Sequence, residues 1–154
     1  MKVFLKPGEF YMGEKSAVIS TILGSCLSIT MFNARLGIGG ICHALLPNDS
    51  ELKKGKEFHF VDGSISYMLN EFEKTGIKRN EIEVKVFGGA NINDTAHKKT
   101  VGQANIEAAL TIISGNDLKV LTYDFGGTLG RKIIFYTHTR RVLLKKLEKP
   151  KGVS

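Results

Sequence analysis

A cysteine and a histidine seventeen residues apart are the residues of this sequence best suited to chemistry. Cys26 ends the stretch that begins at Leu23, and Gly24 within it predicts a turn whose backbone N–H groups could point at a reacting carbonyl. A thiol beside an imidazole can attack an amide, because the imidazole accepts the thiol proton and later returns it. We therefore interpret Cys26 as a candidate nucleophile and His43 as its base.

The turn-like segment 33–36 predicts how these two residues meet. If the apolar runs on either side close a symmetrical hairpin there, Cys26 lies directly opposite His43, with Cβ atoms about 4.5 to 5.5 Å apart. Cys42 then faces the other way and is interpreted as a packed structural thiol. The competing interpretations are a buried structural Cys26 and a core His43 bonded to backbone.

A histidine partner is expected to raise the thiolate fraction of Cys26 by holding an ion pair. Such a pair usually needs a third group that orients the imidazole. The candidates are the hydroxyls of Ser20 and Thr21 or a backbone carbonyl, and strand alternation allows at most one of the two hydroxyls to face the site. The other histidines, His59, His97 and His138, are assigned to surface or loop positions.

Composition narrows the function class. The chain has 154 residues, 42% of them hydrophobic, which suits one domain without disulfide or metal support. Two cysteines without CxxC or HxxxH spacing argue against a disulfide framework and against zinc. The net charge is +7, but the basic stretches lack the aromatic or helical signatures of nucleic-acid binding. The charge therefore favours a solvated surface or acidic partners. Because the sequence shows no long apolar run and no signal-peptide pattern, we expect a cytoplasmic protein.

Two segments have helical periodicity, and strands dominate the rest. Apolar residues recur at helical spacing from Ile65 to Phe72 and from Ile106 to Ile113. Alternation and β-branched residues predict seven strands: Ala17–Thr21, Cys26–Phe32, Gly39–Leu46, Glu83–Phe87, Val120–Tyr123, Lys132–Tyr136 and Val142–Leu147. The architecture is therefore predicted to be α+β, with helices covering mixed or antiparallel sheet.

Capping residues set the expected ends of the helices. Asp62 is the predicted N-cap of the first helix, and Gly76 lies just beyond its end. Thr100 and Gln103 form a predicted capping box for the second helix. Residues 47–56 are expected to be an exposed loop.

Several separated motifs together resemble the CheD family of chemoreceptor glutamine deamidases. The most specific is the turn ending in Cys26, followed by His43 within the segment 40–47. The supporting segments occur in the family's order and are Phe60–Ile65, Phe87–Asn91, Gly102 with Asn105–Ala108, and Asp124–Gly127 with Gly130–Lys132. We expect their paired glycines to supply backbone angles or close approaches at the rim of the site.

The resemblance implies a single CheD-like domain over residues 1–154, with a layered α/β/β fold shared with toxin-type glutamine deamidases. It also implies a Cys/His/hydroxyl site without metal or cofactor, in which Cys26 and His43 take the family's roles. Its hydroxyl is expected six residues before the cysteine, where this chain has Ser20. The implied substrates are methyl-accepting chemotaxis receptors, and the implied partner is a CheC-like phosphatase.

Two other functions fit the same residues. The chain could be a binding module that docks to and stimulates a CheC-like phosphatase, with weak or no deamidase activity. Alternatively, the cysteine chemistry could act on a small amide or on a glutamine of another signalling protein. An intact pair of Cys26 and His43 favours catalysis, and the sequence indicates no substrate pocket.

Overall fold

A computed structural model of the chain describes residues 1–14, 16–48, 55–92 and 99–148. Nine strands and two α-helices form within these ranges, together with short 3₁₀ turns at Glu57–His59 and Arg79–Glu81. The strands are β1 Lys2–Phe4, β2 Phe10–Gly13, β3 Val18–Leu23, β4 Leu27–Asn33, β5 Ile38–Cys42, β6 Glu83–Gly88, β7 Val120–Phe125, β8 Arg131–Tyr136 and β9 Val142–Lys146. The helices are α1 Val61–Lys74 and α2 Val101–Gly115.

The strands form two sheets. One sheet has the order β1-β3-β8-β9 and the other has the order β2-β5-β4-β6-β7. The pairs β1·β3 and β6·β7 are parallel, and the remaining neighbours are antiparallel. Both sheets are therefore mixed, as the sequence predicted.

Two hydrophobic clusters hold three layers together. One lies between the helices and the five-stranded sheet, and it includes Phe72 of α1, Ile113 of α2 and Ile29 of β4. The other lies between the two sheets, and it includes Ile41 of β5 and Phe135 of β8. Every residue of β4 is buried, because this central strand has a layer on each face. The predicted α+β class and α/β/β layering are confirmed.

All seven predicted strands are present with shifted ends, and two strands were missed. β1 and β2 have only three and four residues and lie at sheet edges, where alternation is too short to detect. β5 ends at Cys42, four residues before its predicted end, because the chain then pairs only through isolated bridges at Ala44 and Leu46.

The helix ends agree with the sequence except at one cap. Asp62 lies inside the first turn of α1, where its carboxylate accepts from the Gly63 N–H, and the N-cap is Phe60, so the Asp62 prediction is wrong. Gly76 follows the helix with a φ of 78°. Thr100 and Gln103 form the predicted capping box at the start of α2, with N···O distances of 3.0 and 3.2 Å.

The buried stripe of α2 is rotated from the predicted one. Leu110 is 38% exposed, and the buried residues are Gly102, Asn105, Ala109 and Ile113. Of the predicted loop 47–56, residues 49–54 lie outside the described part of the chain. Neither helix in the described ranges is long and apolar enough to cross a membrane.

The hairpin between β4 and β5 has a different register from the predicted one. Its turn spans 34–37, with Gly37 at a φ of 66°, and Asn33 pairs with Ile38. The same register pairs Leu27 with Ala44, which places Ser28 level with His43 and Cys26 just beyond the strand. The prediction that Cys26 is directly opposite His43 is wrong by two residues, a shift that keeps both on the same face.

Gly102 allows α2 to pack against the end of β6. A Cβ on this residue would collide with the Gly89 carbonyl oxygen and lie 2.6 Å from that of Ala90. Gly115 of the same helix has open space around its Cβ position. We predict that Gly102→Ala lowers the free energy of unfolding by about 1–3 kcal/mol, because the backbone must shift.

The matched variant Gly115→Ala should leave that free energy unchanged or raise it by less than about 1 kcal/mol, as helix propensity alone would. Urea denaturation of both variants measures the difference. Stabilisation by Gly102→Ala would contradict the close approach of α2.

Candidate active site

Cys26 lies in the turn between β3 and β4, and hydrogen bonds hold all three carbonyls of this turn. The Ala90 N–H donates to the Gly24 oxygen at 3.0 Å, and the Gly89 N–H donates to the Cys26 oxygen at 2.9 Å. The side-chain amide of Asn105 donates to the Ser25 oxygen at 2.9 Å. The backbone that carries the thiol is therefore fixed on one side by the segment after β6 and by α2.

The paired glycines make this fit possible. Gly88 has a φ of 107°, and a Cβ there would collide with the Cys26 carbonyl oxygen. Gly89 has a φ of 68°, which also favours glycine. The expected unusual backbone angles and close approaches are confirmed for Gly88 and Gly89, and a role of these residues at the rim of an active site stays a prediction.

A buried arginine supports the same region. Arg131 is 3% exposed and forms an ion pair with Asp124, with an Nε–Oδ1 distance of 2.7 Å. Its guanidinium also donates to the Gly126 oxygen at 2.8 Å, and the Gly126 N–H donates to the Gly88 oxygen at 2.9 Å. Sequence reasoning gave Arg131 no role, although it lies in one of the family segments.

The N-terminal segment fixes the backbone of His43. The Gly8 N–H donates to the His43 oxygen at 2.8 Å, and the His43 N–H donates to the Glu9 oxygen at 3.1 Å. The histidine lies just past β5 and is 2% exposed. It shares the alternation of Ile41, so its side chain faces the four-stranded sheet.

Thr21 of β3 holds the imidazole from the opposite sheet. Its Oγ1 lies 2.7 Å from His43 Nδ1 and 2.7 Å from the Leu5 carbonyl oxygen. A carbonyl can only accept, so the single hydroxyl proton is donated to Leu5. His43 Nδ1 must then carry the proton that it donates to Thr21. In the neutral imidazole Nε2 is left with its lone pair, as a general base requires.

Ser20 does not contact His43. Its side chain lies on the outer face of the four-stranded sheet, in an open groove shared with Phe4 and Ile134. The prediction that Ser20 orients the imidazole is therefore wrong, and Thr21 occupies that place. The physical reason is strand alternation, since only every second residue of β3 faces the other sheet. The prediction that the two hydroxyls face opposite ways agrees with this geometry.

Cys26 and His43 share a face of the five-stranded sheet. Cys26 packs against the cluster between the two sheets, to which Ile41 also belongs. Because Ser28 lies directly opposite His43, Cys26, two residues before Ser28, is the diagonal neighbour of His43. Diagonal neighbours have Cα atoms about 7–8 Å apart and Cβ atoms somewhat closer, which long and aromatic side chains can span.

Burial favours the neutral forms of both groups. It raises the pKa of the Cys26 thiol above its ordinary value of 9.0, against a smaller opposing effect of the residue's own N–H. It lowers the pKa of His43 below 6.5, and the backbone of Leu5 opposes this shift. The resting pair is a thiol and a neutral imidazole, so the expected thiolate–imidazolium ion pair is not favoured.

Cys42 lies on the other face of β5, within the cluster beneath the helices. Burial raises the pKa of its thiol to about 11, despite hydrogen bonding to Ser64 and to backbone. Such a thiol is almost entirely protonated at neutral pH. The packing predicted for Cys42 agrees with this position.

Two of the three other histidines lie within the described residues. His59 lies beside Gly8, His138 is exposed, and His97 lies outside the described residues. In the described ranges, no group of three or more histidine, cysteine, aspartate or glutamate side chains is arranged to hold a metal ion.

Sequence reasoning missed Leu5, Gly8 and Glu9, which act through backbone groups and have no residue-type signal. It also missed the contacts of Asn105, although one signal was present: a polar side chain on the apolar side of an amphipathic helix.

These features define a class: three-layer α/β/β proteins in which a thiol, an imidazole and a hydroxyl lie between two sheets. A family model described as "CheD chemotactic sensory transduction" matches residues 45–146. The chain is 43% identical to "Probable chemoreceptor glutamine deamidase CheD 2" of Geobacter sulfurreducens, over 99% of this chain and 94% of that protein. It is 32% identical to "Probable chemoreceptor glutamine deamidase CheD" of Sulfurimonas denitrificans, over 96% of each. The chain belongs to the CheD family.

The bond between Thr21 and His43 predicts a fixed tautomer. We expect ¹⁵N NMR of labelled protein near pH 8 to show His43 protonated at Nδ1 and unprotonated at Nε2. Thr21→Val should shift the balance towards the Nε2–H tautomer, because Nδ1–H loses its acceptor, whereas Thr21→Ser should preserve it. Ser20→Ala is the control and should leave the His43 signals unchanged. A wild-type spectrum in which Nδ1 is unprotonated would contradict the assigned tautomer.

Proposed function

We propose that this protein is a protein-glutamine deamidase that acts on chemoreceptors, converting a glutaminyl amide into glutamate and ammonia. The main supporting observation is the Thr21–His43 hydrogen bond, which leaves Nε2 of a buried imidazole available on the face shared with Cys26. The names of the relatives, each a chemoreceptor glutamine deamidase, support the substrate and the reaction. Cys26 is the nucleophile, His43 the general base and acid, and Thr21 the residue that orients His43.

The first half of the reaction forms a thioester. As the Cys26 sulfur bonds to the amide carbon, its proton moves to Nε2 of His43, and the carbonyl oxygen becomes an oxyanion. The Cys26 N–H already lies close enough to lower the pKa of its own thiol, and it could donate to that oxyanion. Collapse of the intermediate breaks the C–N bond, and His43 returns the proton to the departing ammonia.

The second half consumes water. His43, neutral again, takes a proton from a water molecule that attacks the thioester carbon. Breaking the C–S bond releases glutamate, and the proton on His43 returns to the Cys26 sulfur. The resting pair of thiol and neutral imidazole is restored, in agreement with the two pKa shifts.

The docking of a CheC-like phosphatase is a further part of this proposal. It is supported by membership of the family and by the net charge of +7, which suits an acidic partner. Co-purification of the chain with a CheC-like protein, with and without the Cys26→Ala substitution, tests docking separately from catalysis.

The nucleophile assignment predicts opposite results for the two cysteines. Cys26→Ala should abolish ammonia release from receptor cytoplasmic fragments and change the melting temperature by only a few degrees. Cys42→Ala should retain most of the activity and lose about 1 kcal/mol of stability to a small cavity. His43→Ala should reduce turnover by roughly 10² to 10⁴. Mass spectrometry of the fragments checks the conversion, and full activity of Cys26→Ala would refute the assignment.

The neutral resting pair predicts the pH profile of kcat/KM. Activity requires neutral His43 and protonated Cys26, so the acid limb should lie below pH 6.5 and the alkaline limb above pH 9.0. An ion pair would instead place the acid limb near the pKa of an acidic thiol, about 4. Steady-state rates from pH 4 to 10 distinguish the two. The acid limb should disappear in His43→Ala.

A further inference from the structure

Asn105 makes two hydrogen bonds that connect the surroundings of Cys26 and His43. It lies in α2, is 0% exposed, and its Nδ2 donates to the Ser25 oxygen at 2.9 Å and to the Leu45 oxygen at 3.0 Å. Ser25 immediately precedes the nucleophile, and Leu45 follows the base by two residues. One side-chain amide thus joins the two backbone segments that carry the reacting groups.

The backbone groups of Leu27 and Ala44 also join these segments, through hydrogen bonds of 2.8 and 2.9 Å. Cys26 lies beyond the last regular pairing of β4, and His43 lies beyond the end of β5. The isolated bridge between Leu27 and Ala44 is the regular pairing nearest to both. The Asn105 amide joins the two segments just beyond this bridge, where the hydrogen bonds between β4 and β5 would have continued if the strands had been longer.

The orientation of the Asn105 amide is determined by its partners. Two carbonyl oxygens accept from the same nitrogen, so Nδ2 must face them and Oδ1 must face away. Among the described residues Oδ1 has no hydrogen-bond partner although it is buried. An unpaired buried acceptor costs free energy, and a leucine at this position would exchange the unpaired Oδ1 for two carbonyls, those of Ser25 and Leu45, that lose their donor. The amide thus satisfies one carbonyl on each of the two backbone segments that carry the reacting groups.

We infer that Asn105 is a positioning residue that sets the separation of Cys26 and His43. The inference rests on the roles proposed for those two residues. A nucleophile and base must be held within a fraction of an ångström of their working geometry, and a displacement of about 1 Å can cost roughly 100-fold in rate. Asn105 touches neither side chain, and it acts through the backbone carbonyls of their neighbours.

Asn33 offers a matched control. It is 1% exposed, and its Nδ2 also donates to a backbone carbonyl, that of Glu81, at 2.9 Å. It lies at the opposite end of β4 from Cys26. Asn33→Leu and Asn105→Leu are the same substitution at two buried sites, and only the second site adjoins the reacting groups. Asn33→Leu also removes the acceptor of the Leu36 N–H, which lies 2.8 Å from Asn33 Oδ1.

We expect Asn105→Leu to lower kcat on receptor fragments 10- to 100-fold with KM within about twofold, because ground-state contacts with the substrate are unchanged. Asn33→Leu should keep kcat within about threefold of wild type, when both variants are assayed at the same interval below their melting temperatures. Equal losses of kcat in the two variants would overturn the positioning role.

A double-mutant cycle on thiol reactivity tests the inference without the receptor. Iodoacetamide labelling of Cys26 at pH 7, in the Cys42→Ala background, should be slower in His43→Ala than in its parent. Once Asn105→Leu is present, His43→Ala should change the labelling rate less than twofold, because the imidazole no longer reaches the thiol. An undiminished effect of His43→Ala there overturns the inference, even if the protein proves to have another substrate.

A smaller replacement covers the case in which the leucine variants do not fold. Asn105→Ser and Asn33→Ser each keep one hydroxyl donor, and the same cycle applies to them. Partial coupling in Asn105→Ser, between that of wild type and none, supports positioning by hydrogen bonding. Coupling equal to that of wild type overturns it.

Discussion

The hydroxyl proton of Thr21 determines the chemistry available at this site. Because it is donated to the carbonyl of Leu5, the imidazole of His43 must donate from Nδ1 and leave Nε2 free. The bond crosses the interface between the two sheets, so the four-stranded sheet orients an imidazole that belongs to the five-stranded sheet. The geometry of the candidate site therefore depends on the packing of the two sheets, more than on any single strand or loop.

The turn that carries Cys26 is held firmly although it lies outside regular structure. Its three carbonyls accept from Ala90, Asn105 and Gly89, so the turn cannot move without breaking several hydrogen bonds. Glycine at position 88 lets the backbone come this close. Burial meanwhile keeps the thiol protonated and the imidazole neutral. In the proposed reaction, charge would then separate only when the thiol attacks an electrophilic carbon.

Much of the fold was predictable from local patterns. Alternation predicted seven of the nine strands, helical spacing predicted both helices, and the capping box at Thr100 depends only on residues three apart. The two missed strands, β1 and β2, are too short to show a period, and both gain their order from pairing with partners distant in sequence. The Asp62 cap failed because its carboxylate bonds to the adjacent N–H inside the helix.

The amino-acid sequence alone identified Cys26 and His43 as a candidate pair on one strand face, because residue type and alternation are local properties. It could not choose between Ser20 and Thr21, and the register of the family motif favoured the wrong hydroxyl. That choice depends on which face of β3 meets the other sheet, and it is made by Leu5 and His43, which lie sixteen and twenty-two residues from Thr21. The clamp formed by Asn105 likewise joins carbonyls eighty and sixty residues away. Hydrogen bonds between distant segments require a known register and packing, and only the tertiary structure supplies both.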